Sequence, residues 1–182
     1  MTAQRHTVGP DRGSLVLHTK RQGLAATAGH DLTIDVTRWS GEIEVGDDPA
    51  GSTVSVTVET GSLEVREGSG GVKPLSERDK REIAATIRRL LDSDRQPQAT
   101  FRSNRVAVRD GGGTIDGDLT LRGATRPLTI DVTGGDDGPY HGTTTVVQTG
   151  FGIKPYVAFL GALKLADAVA VEVDLDLSGG GR

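Results

Sequence analysis

The feature that most constrains this chain is a period-two alternation that recurs from Leu15 to Leu177. It is plainest near the C-terminus, where Val169, Val171, Val173, Leu175 and Leu177 share one parity and Glu172, Asp174 and Asp176 the other. Successive side chains of a strand point to opposite faces, so this segment reads as a half-buried β-strand with a solvated acidic face. The same pattern appears at Leu15 and Leu17, at Leu32, Ile34 and Val36, and at Val54, Val56 and Val58. Trp39, Ile43 and Val45 follow Val36 on the opposite parity, which predicts a bulge or bend near Ser40 and Gly41. Ala99 and Phe101 begin a further strand whose register changes before Val106 and Val108. Ile115, Leu119 and Leu121 follow, then Leu128, Ile130 and Val132, then a long polar strand over 140–151. Glycine-rich punctuation at 111–113, 123–126 and 134–139 supplies the turns.

These segments amount to about eight strands in even procession, with no alternation of strands and helices that would build a parallel sheet. A single helix is predicted over about 76–92. Ser76 is its N-cap, with Glu77 and Asp79 at the positive end of the dipole. Ile83, Ile87, Leu90 and Leu91 form one apolar stripe, Arg81, Arg88 and Arg89 lie elsewhere, and Pro97 prevents extension. Its place between strands predicts that it packs over an open end of the barrel. A second helical turn is predicted to begin at Pro155. The expected organisation is therefore a flexible N-terminus over 1–12, one barrel domain over 13–178, and a flexible tail over 179–182, which suits a chain of 182 residues. Alternating strands need only half their positions to be apolar, so a hydrophobic share of 35% is sufficient.

Several classes of chemistry find no footing. The absence of cysteine excludes disulfides and thiolate metal sites. The four histidines, His6, His18, His30 and His141, show no metal-ligand spacing, although His18 and His141 have a route to His30 across strands. No GxSxG elbow occurs, and Gly111-Gly112-Gly113 lacks the lysine and helix of a phosphate loop. No catalytic or metal residue is therefore assigned. A net charge of −4 argues against a general nucleic-acid partner, although residues 73–109 hold ten basic side chains against five acidic ones. Residues 1–11 are polar and resemble no secretory leader, and no run is apolar and long enough to span a bilayer, so the cytoplasm is expected. A homodimer is expected without a specific sequence signal.

The aromatic residues are few and clustered. Phe151, Tyr156 and Phe159 fall in the most apolar, least alternating stretch of the chain, together with Ile153, Val157, Leu160 and Leu163. That stretch reads as a plug for one end of the core, as the wall of a ligand tunnel, or as both. Periodicity alone leaves a filled and a hollow barrel equally open.

The segment Leu119-Thr120-Leu121-Arg122-Gly123-Ala124-Thr125-Arg126-Pro127-Leu128-Thr129-Ile130-Asp131-Val132 resembles the signature of YceI-like proteins, a Leu-Thr strand followed by a Gly-x-Thr-basic-Pro turn. Thr100-Phe101-Arg102-Ser103 resembles the strand after that family's helix. Phe151-Gly152-Ile153 and Asp167-Ala168-Val169-Ala170-Val171 resemble its closing segments, so the resemblance covers nearly the whole chain. It implies an extended, lipocalin-like antiparallel barrel around an elongated apolar cavity, and a non-enzymatic carrier, sequestering or stress-related role toward polyisoprenoid or quinone-type lipids. No cofactor is implied beyond such a lipid. Trp39, Ile83, Ile87, Leu91, Phe101, Phe151, Ile153, Tyr156 and Phe159 are the expected cavity lining, with His30 or Arg88 at a headgroup. Two departures stand out: relatives are often exported, and Gly29-His30-Asp31-Leu32 occupies a place where many carry a glycine and an aromatic residue. Two rival readings remain, a cyclase or isomerase with His30 and Asp31 as acid–base residues, and an interaction module that docks through Arg88 and Arg89 of the basic helix.

Overall fold

The computed structural model describes residues 4–135 and 138–178, and the expected tail over 179–182 lies outside the described residues. Its strands are β1 (Gln4–Val8), β2 (Gly13–Thr19), β3 (Arg21–Gln22), β4 (His30–Val36), β5 (Trp39–Val45), β6 (Thr53–Glu59) and β7 (Leu63–Gly70). After the helix α1 (Glu77–Leu90) come β8 (Gln98–Arg109), β9 (Gly112–Leu121), β10 (Ala124–Gly134), β11 (Tyr140–Val147), β12 (Val157–Ala158), β13 (Leu163–Leu165) and β14 (Ala168–Leu175). An antiparallel 11-stranded sheet runs β1-β5-β6-β8-β9-β10-β11-β14-β2-β4-β7, and β12, β13 and β3 form a small second sheet.

The eight strands expected from periodicity are recovered once two corners are recognised. β4 runs into β5 through Thr37 and Arg38, and β6 runs into β7 through Thr60, Gly61 and Ser62, so each pair is one long bent strand. The two bent strands pair along both arms, β4 with β7 and β5 with β6. Counting each once and setting β1 aside leaves eight strands curled around a common interior. The parity change therefore sits at Thr37 and Arg38, just ahead of Ser40 and Gly41. There the buried Ser62 hydroxyl does the work of the interrupted ladder: it accepts from the Arg38 amide at 3.0 Å and donates toward the Glu59 and Arg38 carbonyls at 2.7 and 3.2 Å. The second change of register is a bulge between Ser103 and Arg105, as the sequence predicts.

Several boundaries differ from the sequence reading, among them the expected strand over 140–151, which ends at Val147 before the short helical turn Gln148–Phe151. Residues 4–8 of the expected flexible N-terminus are a strand, in register with β5 from Gln4 opposite Val45 to Val8 opposite Gly41, and Val8 is buried. Edge pairing satisfies a polar sequence that carries little alternation of its own. The β9–β10 turn is centred on Arg122 and Gly123, both with positive φ, one residue ahead of the expected position. Both angles fit the mirror-image turns that match the twist of a hairpin. At Pro155 the chain has no regular structure, and the helical turn instead occupies Phe159–Gly161.

α1 begins at a reciprocal capping box: Ser76 Oγ accepts from the Asp79 amide, and the Asp79 carboxylate accepts from the Ser76 amide at 2.9 Å. These bonds from Ser76 hold the Asp79 carboxyl below its ordinary range. β7 has a ladder partner on one side only, β4, and α1 packs against it. The helix thereby shields sheet where no strand continues the wall. Apolar packing is concentrated on the neighbouring side, where Val8, Leu15, Ile34, Val36, Trp39 and Leu63 are buried in one cluster.

Candidate functional site

The inward faces of the eight strands do not meet. They enclose a cavity of about 660 Å³ lined by every one of them and by α1. That volume lies within the usual range of small-molecule sites. Leu15 and Leu17 of β2 face it, with Ile34 of β4, Val58 of β6, Leu121 of β9, Ile130 of β10 and Val171 of β14. On α1 the stripe Ile83, Ile87, Leu90 and Leu91 faces the same space, yet no residue of this helix is fully buried. The lumen residues of β9, β10 and β14, Leu121, Leu128, Ile130, Val169, Val171 and Val173, likewise remain half-buried. Apolar side chains that point inward and still retain accessible surface mark a lumen that is hollow. Charged side chains on its wall are confined to Asp79, Glu82 and Lys164, with the titratable His30 beside them.

The mouth is built from segments that interrupt the strands. β12, β13 and β3 form a flap over one end, tied down where Ala25 donates to the Ala162 carbonyl at 2.9 Å. Tyr156 and Phe159 line the cavity and are nevertheless 46% and 66% exposed, so the lumen opens to solvent at this flap. His30 stands at its edge. Nε2 lies 2.8 Å from the Lys73 carbonyl, which can only accept, so this nitrogen donates the hydrogen bond. Gly71 makes the arrangement feasible: its φ is +74°, and a Cβ there would come within 2.4 Å of His30 Nε2.

Of the nine residues expected to line a cavity, Ile83, Ile87, Leu91, Phe101, Ile153, Tyr156 and Phe159 do so. Trp39 does not. It follows the corner, where the strand changes face, and packs with Val8 and Val36 in the buried cluster. Phe151 does not either: it is buried at the end of the short helical turn Gln148–Phe151, and Gly152, with φ 70°, re-aims the chain so that Ile153 reaches the lumen. His30 lines the cavity, but Arg88 is exposed near the corner glycine Gly61, on a different side of α1 from Ile87.

The acid–base pair fails geometrically. His30 and Asp31 are consecutive strand residues and project to opposite faces. Asp31 accepts from the Arg21 amide at 2.9 Å, and Lys20 lies 3.5 Å from it. Partial burial pushes the Asp31 carboxyl up, but the Arg21 amide and the Lys20 and Arg21 charges outweigh that effect and hold it below its ordinary value. The other histidines do not converge on His30 either. His18 lies 3.3 Å from Glu172 and His141 2.7 Å from Asp174, two cross-strand pairs on the outer face of β14. Among the described residues no group of three or more His, Asp or Glu side chains is placed to hold a metal ion. None of the described helices is long and apolar enough to cross a membrane.

Sequence reasoning did not mark Lys164 or the lumen-facing residues of β2, β9, β10 and β14 as lining. For the strands the signal was present, since the parity that defines a core face also defines a lumen face. Lys164 carried no such signal, because its segment does not alternate long enough.

A curled antiparallel barrel with a hollow apolar lumen, one covering helix and a flap at its mouth defines the class of lipocalin-like barrels. Within that class the chain belongs to the YceI-like family, whose domain model matches residues 10–177. It is 31% identical over 115 residues to a UPF0312 protein of Pseudomonas aeruginosa, a match covering 58% of this chain and 54% of that protein. A UPF0312 protein of Shewanella baltica is 35% identical over 116 residues, covering 58% and 55% respectively. The chain thus matches about half the length of these curated relatives. Among solved structures, Burkholderia cenocepacia BcnA superposes with a TM-score of 0.66 at 17% identity, covering 90% of this chain and 94% of BcnA. The Campylobacter jejuni YCEI protein does so with a TM-score of 0.55 at 14% identity, covering 78% and 81%. These two likenesses establish the shared fold.

Proposed function

We propose that this protein binds and carries, or sequesters, a long apolar amphiphile of polyisoprenoid or isoprenoid-quinone type. The tail lies in the lumen and the headgroup sits at the mouth. The observation that carries this reading is the cavity of about 660 Å³, toward which apolar side chains from β9, β10, β14 and α1 turn while retaining accessible surface. A buried methylene contributes about 0.8 kcal/mol, so ten of them supply about 8 kcal/mol before ordering costs, the scale of a micromolar complex. A chain ligand therefore needs little polar recognition, which agrees with a largely apolar wall whose charged side chains are confined to Asp79, Glu82 and Lys164. His30 and Lys164, both on the cavity wall, are available to a polar headgroup.

The test is titration of delipidated protein with a long-chain isoprenoid quinone, followed by gel filtration with detection of the quinone chromophore. Saturable co-elution at one quinone per chain is expected, and Ile87→Asp, which places a charge in the lumen, is expected to abolish it. Absence of co-elution, or retention unaffected by Ile87→Asp in a folded variant, counts against the proposal.

A further inference from the structure

The flap at the mouth has a property that ligand binding does not require. Apolar side chains exposed on the surface are concentrated there: Leu24 and Leu160 are fully exposed, Val72 is 86% exposed, and Phe159 and Val157 are more exposed than buried. Short contacts bring their segments together. A Cβ added at Gly23 would lie 2.3 Å from the Ala162 carbonyl, one at Gly29 would meet the Leu163 side chain, and one at Gly71 would meet the His30 ring. Phe159 and Leu160 both adopt the left-handed conformation, with φ of 50° and 56°. This region is unfavourable for bulky residues, and a fold rarely holds two in succession there only to place them in water.

Charge at this end runs opposite to the net charge of −4. Residues 20–30, 71–75 and 152–166 contribute Lys20, Arg21, Lys73, Lys154 and Lys164 and contain no acidic residue. The acidic groups that adjoin them are engaged: Asp31 by Lys20 and Arg21, Glu77 by Lys80, Glu82 by Arg78, Asp167 by Thr149, and Asp79 by the Ser76 amide and, at longer range, the Lys73 charge. Lys73, Lys154 and Lys164 form no ion pair among the described residues. An apolar tip whose segments carry lysines and no acidic residue has the composition of a surface that seats in the interface of an anionic bilayer. A patch of this kind on a soluble domain marks an interaction site.

We infer that the flap is a membrane-docking surface, in which Leu24, Phe159 and Leu160 insert among acyl chains while the lysines meet anionic headgroups. This places the cavity mouth against the bilayer, so an apolar tail passes between membrane and lumen without crossing water. The inference rests on the proposed lipid cargo for that transfer step, whereas docking itself does not depend on cargo.

The test is co-sedimentation of the full chain with vesicles of phosphatidylcholine alone or mixed with phosphatidylglycerol, at rising salt. Wild type is expected to bind the anionic vesicles and to release as salt increases. The double variant Leu24→Ser with Leu160→Ser, at positions that do not line the cavity, is expected to bind about tenfold or more weakly. It should take up a short, water-soluble isoprenoid as wild type does. Lys154→Glu should weaken binding to anionic vesicles alone. Equal binding of wild type and the double variant overturns the inference, as does absence of vesicle binding. So does a wild-type dimer in solution that the double variant abolishes, because the patch is then an interface between two copies. Vesicle binding by a protein that takes up no isoprenoid leaves docking intact and removes the cargo reading; uptake without vesicle binding does the reverse.

Discussion

Replacing Val171 by tryptophan separates a hollow barrel from a filled one by the sign of its effect. Val171 sits mid-strand in β14, opposite Thr144 of β11 and Leu17 of β2, and its side chain faces the cavity of about 660 Å³. In a close-packed interior, enlarging a side chain this much forces neighbours off their rotamers and costs roughly 1–3 kcal/mol or more. In the lumen described here the indole enters free space. About 100 Å² of additional apolar surface leaves water, worth about 2.5 kcal/mol at most, less the entropy of fixing the ring. The expected result is therefore a delipidated variant as stable as wild type, or more stable by about 1–2 kcal/mol. The effect on ligand runs the other way. The indole takes space that about four methylenes of a bound chain would fill, a loss of about 3 kcal/mol and on the order of 100-fold in affinity. Urea unfolding of the delipidated proteins measures the first quantity and quinone titration the second. A variant destabilised by several kcal/mol that binds lipid unchanged would refute the reasoning at both points.

Other outcomes follow from individual contacts. Gly71→Ala puts a Cβ onto the His30 ring at a positive φ, and a loss of about 1–3 kcal/mol in thermal or urea unfolding is expected. Ser76→Ala removes one half of the capping box of α1 and should cost about 1 kcal/mol, read by the same assays. Asp31 has a folded-state pKa below its ordinary value of 3.8, so its contribution to stability is present above that pH and is lost as pH falls through the lower folded value. The urea midpoint of Asp31→Asn should therefore lie below that of wild type at pH 6, with the gap closing through the acidic range under pH 4. Charge reversal at Arg88 and Arg89, exposed and away from the cavity, should leave quinone affinity within about twofold. A steep loss would restore the helix as a docking element.

Much of this architecture could be read from alternation, and its failures have physical causes. β14 was legible because five apolar side chains keep one parity for nine positions, although the strand itself ends at Leu175, two residues short of the last of them. The arm β7 was missed because Leu63 and Val65 run into Gly68 and Gly70, and two apolar positions do not establish a period. The strand β1 was missed because its sequence, Gln4 to Val8, is polar and its pairing with β5 is a tertiary event. Trp39 was misplaced because the corner at Thr37 and Arg38 depends on Ser62, which lies 24 residues away. The failure of His30 and Asp31 as a pair was already implicit in their adjacency on a strand. Whether the barrel is filled or hollow depends on the distance between opposing walls, and no local pattern encodes that distance.

The central claim is that the lumen holds an apolar chain, and it is tested most directly by what the protein carries when isolated from cells. Organic extraction of protein purified without detergent from its native host, analysed by mass spectrometry, should yield a long-chain isoprenoid lipid at up to one molecule per chain. The same extraction from Val171→Trp should yield little or none. Wild-type protein that is repeatedly empty, and that takes up no isoprenoid when one is supplied, would contradict the account.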